Sequence, residues 1–469
     1  MKREALEKLS KSDLIDIILA LTARIEELEA RMNMNSKNSS KPPSSDGYSR
    51  PKSQRSPSGK KAGGQQGHEG SGMRLDRLPD SYKTYDPINC TVCPMYEECQ
   101  ATKTIDETRY ELDINIEIVT TAHQTIKVVC PFTTQVLTGK FPEDITGTMQ
   151  YGVNMEALAV SLNTIGMVSI NRTHEILSGV FGVPISTGTI SSMVSNCAKV
   201  IAPAVAEIKT AVINAPIIHS DETGTRVDKQ TVWAHTVSTD TLTYIEIQES
   251  RGKAGMDAIG ILLAFLGTVI HDCWATYFRY QNLRHGLCNA HLLRELTAVW
   301  ENTGQRWSQE LINLLLDMKT VKERFLTQNQ QTPTRHYINK FTLAYDRILS
   351  DALAQNPIPE RDPTKRGKQK RGKTGALVDR LILHKDKFIL FFMDFDVPFD
   401  NNQAERDIRM FKVKQKVSGC FRTMDGARDF AAISSFVGTA RKHGVSGFNA
   451  IKNALCGKTF EFHVVPSTE

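Results

Sequence analysis

Two short apolar runs, each closed by an aspartate, constrain this chain more than any other feature. One is Pro-Ile-Ile-His-Ser-Asp-Glu-Thr-Gly-Thr, with Asp221; the other is Gly-Thr-Val-Ile-His-Asp-Cys-Trp, with Asp272. β-Branched residues running into an acid and then into loop-like sequence predict interior strands whose carboxyl ends carry chemistry. A third acid, Glu405, opens the helix-like segment Asp-Asn-Asn-Gln-Ala-Glu-Arg-Asp-Ile-Arg, in which Asp400, Asn401 and Asn402 are suited to cap. Meeting in space, the three acids would form an oxygen-ligand set able to hold divalent metal against a phosphodiester. The two-residue period of a strand sorts their neighbours. Asp221 and His219 share one face, Ser220 and Glu222 the other, so Glu222 is the weaker metal ligand. His271 turns away from Asp272 and packs, while His219 borders the site without ligating a hard cation. Asp407, about two-thirds of a turn beyond Glu405, faces elsewhere.

From 216 to 290 the order is three strands (Ile217 to Asp221, Thr231 to Ser238, Leu242 to Ile247), then a helix (Ala254 to Leu266) and a strand (Thr268 to Asp272). A further strand-like piece, His285 to Ala290, follows. Three antiparallel strands, a crossover helix and parallel strands is the order of an RNase H-like fold, with acids on its first and fourth strands. At 469 residues the chain is too long for a single core. The expected fold class is multidomain α+β, with an RNase H-like α/β catalytic core split by a helical insertion. Its expected opening divisions are a coiled-coil helix over 1–33, a flexible basic linker over 34–75 and a zinc-finger-like β segment over 76–145. A helix-turn-helix-like region over 146–210 leads into the first part of the core, 211–290. The insertion covers 291–395, closing helices with Glu405 cover 396–460, and a tail covers 461–469. No apolar run is long enough to cross a bilayer, the start lacks the apolar core of a signal peptide, and the nine scattered cysteines make no disulfide framework. The expectation is a soluble cytoplasmic protein.

The flanking segments carry their own signals. Leu14, Ile18, Leu21, Ile25, Leu28 and Met32 recur at alternating spacings of four and three, a coiled-coil seam. That helix either packs on its own protein or pairs with a second copy. In the linker, Lys37, Lys41, Arg50, Lys52, Arg55, Lys60, Lys61 and Arg74 face only Asp46 and Glu69. It reads as a solvated tether or as an arm that lies along DNA phosphates and releases counterions. Cys90-Thr-Val-Cys93 is half of a structural zinc site, with Cys130 as a further ligand and Cys99 or His123 to complete four. Thr133 stands where a fourth thiolate is expected, so the rival reading is a site that has lost its metal. Asn171 to Gly182, a turn at 182–184 and a second helix capped by Ser186 or Thr187 read as helix-turn-helix. Ser186, Thr187 and Thr189 are what such a helix offers to a major groove, although the same shape serves proteins that bind no DNA. Leu311, Leu314, Leu315 and Met318 mark the insertion as helical, and Lys365, Arg366, Lys368, Lys370, Arg371 and Lys373 form a basic loop within it. The loop is either solvated or laid on a DNA backbone. Arg406, Arg409 and Lys412, with Lys414 and Lys416, make the closing helix basic enough to follow phosphates while Glu405 reaches the metal. The overall charge of +6 favours a polyanionic partner only weakly, so the distribution has to decide.

Several longer motifs join these features. They are Asn-Ser-Lys-Asn-Ser-Ser-Lys-Pro-Pro-Ser-Ser-Asp, Gly-Gly-Gln-Gln-Gly-His, His-Ser-Asp-Glu-Thr-Gly, Leu-Cys-Asn-Ala-His-Leu-Leu-Arg-Glu-Leu and Asp-Asn-Asn-Gln-Ala-Glu-Arg. With the zipper helix and the cysteine segment, they make the chain resemble, nearly end to end, the DDE catalytic transposases of insertion-sequence family 66. The resemblance implies that Asp221, Asp272 and Glu405 are a DDE triad holding two Mg2+ or Mn2+ ions. It implies binding of insertion-sequence ends, metal-dependent cleavage and strand transfer into target DNA, in the bacterial cytoplasm. Implied partners are end and target DNA, a second copy through the N-terminal helix, and accessory proteins of the same element; one structural Zn2+ in the cysteine segment is a further candidate. Cys288-Asn-Ala-His291 matches a Cys-x-x-His signature found after the second acid in such enzymes, and is otherwise a packed strand end. Two other classes fit parts of the chain: an inactive or domesticated DNA-binding regulator, with no need of three acids, and a metal-dependent nuclease without strand transfer, with no need of a zipper.

Overall fold

Ile218, Val269 and Ile270 have no exposed surface, because the two apolar runs form neighbouring strands covered on both faces. A computed structural model of the chain describes residues 10–35, 37–39, 78–114, 117–358, 371–458 and 460–461. Its main sheet contains β1 (Ile217–Val227), β2 (Gln230–Ser238), β3 (Thr243–Gln248), β4 (Thr268–His271) and β5 (Arg284–Leu287). In space the order is β3-β2-β1-β4-β5. The pairs β1–β2 and β2–β3 are antiparallel, and β1–β4 and β4–β5 are parallel. The architecture is thus mixed α+β around a mixed sheet.

Helices cover both faces, and the strand period assigns each side chain to one of them. On one face Ile218, Val237 and Val269 pack with Ile208 and Val212 of α5 (Ala202–Ile213) and Met256 of α6 (Lys253–Ile259). On the other, Val227, Val232, Ala234, Ile245 and Ile247 pack against Ile408 and Phe411 of α11 (Asn402–Ser418) and Phe430 of α12 (Met424–Lys442). Asp221 and His219 share the odd-numbered face of β1 with Val227, which is the side of α11.

Three boundaries differ from the sequence expectation. Asp221 is not at a strand end: β1 continues to Val227, and the chain turns only at Asp228, where φ is +51°. Gly224, which reads as loop, is a strand position covered by the Trp233 ring. The crossover helix expected to Leu266 breaks at Gly260, whose φ of +81° ends α6, and a short helix, Ile261–Ala264, follows. The strand expected through Ala290 stops at Leu287, and α7 (Asn289–Thr303) begins with Cys288 as its N-cap.

The helix-turn-helix region is α3 (Ile170–Gly179) and α4 (Thr187–Val200), preceded by α2 (Val153–Thr164). Ser186 is the N-cap of α4, accepting from the Thr189 amide at 3.0 Å. This region is not a separate body. Its Ala157, Ile190 and Cys197 share one core with Phe436 of α12 and Ile451 of α13 (Gly447–Leu455). The insertion has its own core, in which Trp307, Leu311, Leu315 and Met318 of α8 (Arg306–Thr327) meet Phe341 and Tyr345 of α9 (Arg335–Gln355) and Leu377 of α10 (Gly372–Leu383). The apolar spacing of three and four along α8 is what buries one side of it.

The N-terminal helix, α1 (Lys11–Met32), starts with a capping box between Ser10 and Asp13. Along its seam Ile18, Leu21, Ile25, Leu28 and Met32 are all exposed. The start of the expected linker is not a solvated tether. Asn38 is 4% exposed and donates to Glu301 of α7 at 2.6 Å and to the Asn33 carbonyl at 2.9 Å. Most of the linker, Lys60 and Lys61 included, lies outside the described residues.

The chain divides into two units, Ser53–Thr121 and the remainder. In the described part of the first, a helical turn, Ile88–Thr91, carries Cys90, and Asp86 gathers Tyr96 and Lys103, the lysine at 2.7 Å. Cys90, Cys93 and Cys99 are exposed free thiols. In the second unit, Lys127–Val129 and Val136–Thr138 form a two-stranded ribbon, and Cys130, a half-buried free thiol, follows its first strand. No helix among the described residues is long and apolar enough to cross a membrane.

Candidate active site

The parallel register of β1 and β4 pairs Ile217 with Thr268, Ile218 with Val269 and His219 with Ile270. Continued by two residues, it sets Asp221 beside Asp272, just beyond the end of β4. Asp221 is also flanked by β2, where Thr236 is its partner. The Asp272 carboxylate accepts the Trp274 amide at 3.1 Å, which fixes its direction in the loop after the strand. Glu405 arrives on the first turn of α11, its amide donating to the Asn401 carbonyl at 3.3 Å.

Asn401 holds these parts together. Its side chain does not cap α11, as the sequence suggested; it reaches back into the sheet. Oδ1 accepts from His219 Nδ1 at 3.0 Å and Nδ2 donates to the Ser220 carbonyl at 2.8 Å. The Asn401 amide donates to Cys288 Sγ at 3.2 Å. One residue, 1% exposed, therefore ties both residues before Asp221 to the start of the helix bearing Glu405 and to the β5–α7 junction. Because the carboxamide oxygen accepts, His219 carries its proton on Nδ1, and burial holds its pKa below the ordinary value.

The three acids lie within electrostatic reach of one another. Burial pushes the Asp221 carboxyl well above the usual range, and the charges of Glu222, Glu405 and Asp272 push it further. Burial likewise raises Asp272, with Glu222 adding to it, and raises Glu405, where Asp400 and Asp272 add and Arg294 and Arg409 oppose. Glu405 Oε1 is buried without a hydrogen-bond partner; His291 Nδ1 at 3.5 Å and an Arg294 nitrogen at 3.6 Å stand just beyond bonding distance. A carboxyl raised in the folded state binds more protons there than in the unfolded chain, so its ionisation opposes folding as pH rises through the folded value. The cation-free protein is therefore expected to lose stability from about pH 4 upward through this group of acids. Asp221→Asn is expected to stabilise it at neutral pH by about 0.5–2 kcal/mol, the usual gain when a strained functional group is neutralised. Thermal melts in chelator check this; a lower melting temperature for Asp221→Asn would contradict it.

The rival acids are engaged elsewhere. Glu222 faces the opposite side of β1, where Arg251 donates to it at 2.7 and 2.9 Å and the Tyr277 hydroxyl at 2.8 Å. Arg251 stacks over Trp274, 4.2 Å from the ring centroid. Asp407 pairs with Lys442 at 2.8 Å and accepts from Thr243 at 3.0 Å. His271 is fully buried, stacked on Tyr277 and bonded to His285 at 3.0 Å.

The basic residues divide by helical phase. Arg406 and Arg409 on α11 are exposed, Arg409 near enough to act on the Glu405 carboxyl and Arg406 donating to Gln403 Oε1 at 2.6 Å. Lys412 is exposed, but its ammonium donates to the Gly224 carbonyl at 2.5 Å. Lys414 does not follow the phosphate side: it is 7% exposed, bonds the Asn163 carbonyl at 2.8 Å, and is pushed down to about 8 by burial. Two residues along a helix swing a side chain by about 200°, which the charge run alone conceals. Arg371 is likewise turned inward, paired with Asp379 and donating to the Asn356 carbonyl, while Lys373 is exposed in the first turn of α10. Lys365, Arg366, Lys368 and Lys370 lie outside the described residues. Ser186 and Thr187 are exposed, and Thr189 is half-buried with its hydroxyl 2.9 Å from that of Ser186.

Among the described residues, the ligand-type side chains whose donor atoms all lie within 4.8 Å of one another are Cys288, His291 and Glu405. The three acids are not such a group. Hard oxygen donors, mutual repulsion and an orphaned buried Oε1 are the features that divalent cations would relieve among these carboxyls.

An acid on the first strand of a mixed sheet, one past the fourth and one on a covering helix make this a mixed α+β protein with three carboxyls within electrostatic reach of one another. The chain belongs to the transposase IS66 family, whose model matches residues 148–429 and spans all three acids. Residues 4–74, from the N-terminal helix through the linker, match a second family, DUF6444, of unknown function. Comparison with curated proteins returns no match.

Proposed function

We propose that this chain is a DDE transposase that binds insertion-sequence ends, cleaves them and joins them to target DNA, with Asp221, Asp272 and Glu405 as its metal-holding triad. The observation that carries the proposal is the convergence of carboxyls from β1, β4 and α11, each raised by burial and by its neighbours. The sheet order β3-β2-β1-β4-β5 supports an RNase H-like reading of the core. Held by the triad, a pair of Mg2+ or Mn2+ ions supplies activation of the attacking oxygen and stabilisation of the leaving one.

Each step balances without a protein nucleophile. Water attacks the end phosphodiester, the P–O3′ bond breaks, and a 3′-hydroxyl and a 5′-phosphate result. That 3′-hydroxyl then attacks a target phosphodiester, displacing a target 3′-hydroxyl. The triad's task is to hold charge at the phosphate. The exposed Arg406 and Arg409 of α11 are proposed to take backbone phosphates. The exposed Ser186 and Thr187 at the start of α4 are proposed for end recognition. The proposed setting is the bacterial cytoplasm.

A pre-cut duplex from the element's end, bearing a free 3′-hydroxyl, tests the reaction when mixed with plasmid target and Mg2+. Joined product supports the proposal. Cutting without joining would make the chain a nuclease, and binding alone a regulator. The exposed seam of α1 is proposed to pair with the same helix of a second copy, since a coiled coil buries such a/d positions. Leu21→Asp with Ile25→Asp is expected to convert a dimer to a monomer in sedimentation. A wild-type monomer, or a double variant of unchanged mass, would contradict the pairing.

A further inference from the structure

Cys288 and His291 are the wrong donors for magnesium, yet they converge on Glu405. We propose that Cys288, His291 and Glu405 form a site for a thiophilic divalent cation of the zinc class, which shares Glu405 with the acid triad. Cys288 is the N-cap of α7 and His291 lies three residues on, so both project from the same side of its first turn; Glu405 comes from the first turn of α11.

The spacing is that of a coordination shell. Cys288 Sγ is 3.3 Å from His291 Nδ1, and His291 Nδ1 is 3.5 Å from Glu405 Oε1. A tetrahedral zinc ion with bonds of about 2.0–2.3 Å has ligand-to-ligand edges of about 3.3–3.6 Å. Without a cation these atoms satisfy one another poorly. A single Nδ1 faces both thiol and carboxylate and can bond only one, and Oε1 is buried with no partner. Arg294, 3.6 Å away, does not close that gap.

The charges also fit. A cation binds Cys288 as the thiolate, so binding releases the thiol proton to solvent. The resulting thiolate sits at the N-cap of α7 and accepts the Asn401 amide at the N-terminus of α11, two positions that favour negative charge. Burial holds the His291 imidazole neutral, with a pKa down to about 4. Thiolate and carboxylate supply two negative charges beside the ion, with the Arg294 guanidinium 3.6 Å from Glu405 as a further cation, and three protein ligands leave a fourth position for water or an oxygen of DNA. On the triad reading given above, an ion held here takes Glu405 from the magnesium set, so zinc is an inhibitor that the enzyme's own fold provides for.

Cobalt(II) is the probe. The full chain with Cys90, Cys93, Cys99 and Cys130 replaced by Ser is titrated with Co2+ in the absence of DNA and magnesium. Expected are one equivalent bound, the visible bands of tetrahedral cobalt, and a thiolate-to-cobalt charge-transfer band. Adding Cys288→Ser is expected to remove the charge-transfer band; adding His291→Gln instead keeps it but weakens binding by at least about tenfold, the lower end of what losing even a hydrogen-bond partner of a ligand costs. Circular dichroism melts show that each variant is folded, and the histidine variant serves if the serine one is not. No charge-transfer band in the parent, or a band unaltered by Cys288→Ser or with affinity unaltered by His291→Gln, would overturn the proposal. Magnesium-dependent joining by the unsubstituted chain in buffer without added zinc or cobalt reports on the triad alone, so the two readings fail separately.

Discussion

Asp272→Asn is expected to reduce cleavage and joining of end DNA by about 10³-fold or more while leaving DNA binding intact. The carboxamide keeps the shape of the side chain and an oxygen for the Trp274 amide, which now bonds at 3.1 Å, so the loop after β4 stays in place. What disappears is one negative charge from a set of three that repel one another in the absence of a cation. Metal stabilisation of transition-state charge is worth several kcal/mol, and each ~1.4 kcal/mol is tenfold in rate, which sets the magnitude. On the proposed reading DNA affinity rests on exposed cations such as Arg406 and Arg409, so it is not expected to fall. A variant that cleaves in Mg2+ within tenfold of wild type would remove Asp272 from the triad; one that no longer binds DNA would show that the substitution did more than delete a charge.

Asn401→Ala is expected to have the second largest effect, and on two readouts. Truncation leaves His219 Nδ1 and the Ser220 carbonyl without partners in a buried setting. Each unsatisfied buried group costs about 1–3 kcal/mol, so a loss of about 2–6 kcal/mol in unfolding free energy is expected. The same truncation unties α11 from β1, and with it Glu405 from Asp221. Misplacement of a catalytic group by ~1 Å costs about 10²-fold in rate. Asn401 is a positioning residue in this account, so the rate loss must persist at temperatures well below the variant's melting point, with DNA binding unchanged. Loss of stability with full activity in the remaining folded protein would confine Asn401 to a structural role.

Much of the site was legible in the sequence because its parts obey local rules. The two β-branched runs marked strands that lie side by side, and the strand period correctly sent Glu222 and Asp221 to opposite faces, Glu222 to Arg251 and Tyr277. Ser186 was legible as a cap from its place before an apolar helical period. What the sequence hid were long-range partners. Asn401 reads as one more cap in Asp-Asn-Asn, since nothing local says that its amide will reach residues nearly two hundred positions earlier. Lys414 and Arg371 read as part of basic runs, and only the helix phase and the partners Asn163, Asp379 and Asn356 turn them inward. Gly224 suggested a loop because glycine is common in turns, yet the Trp233 ring fills the space beside it and the strand continues. Asn35 and Asn38 were submerged in a Ser/Pro-rich stretch although they fold into a turn docked on Glu301.

The most direct measurement is anomalous scattering from crystals of the protein soaked in Mn2+ with pre-cut end DNA. The account expects two manganese peaks about 3.5–4 Å apart, bounded by Asp221, Asp272 and Glu405, with one of them beside the 3′-hydroxyl of the end DNA. Manganese found only away from these carboxyls, or a Glu405 carboxyl turned out of reach of both aspartates when end DNA is bound, would contradict it.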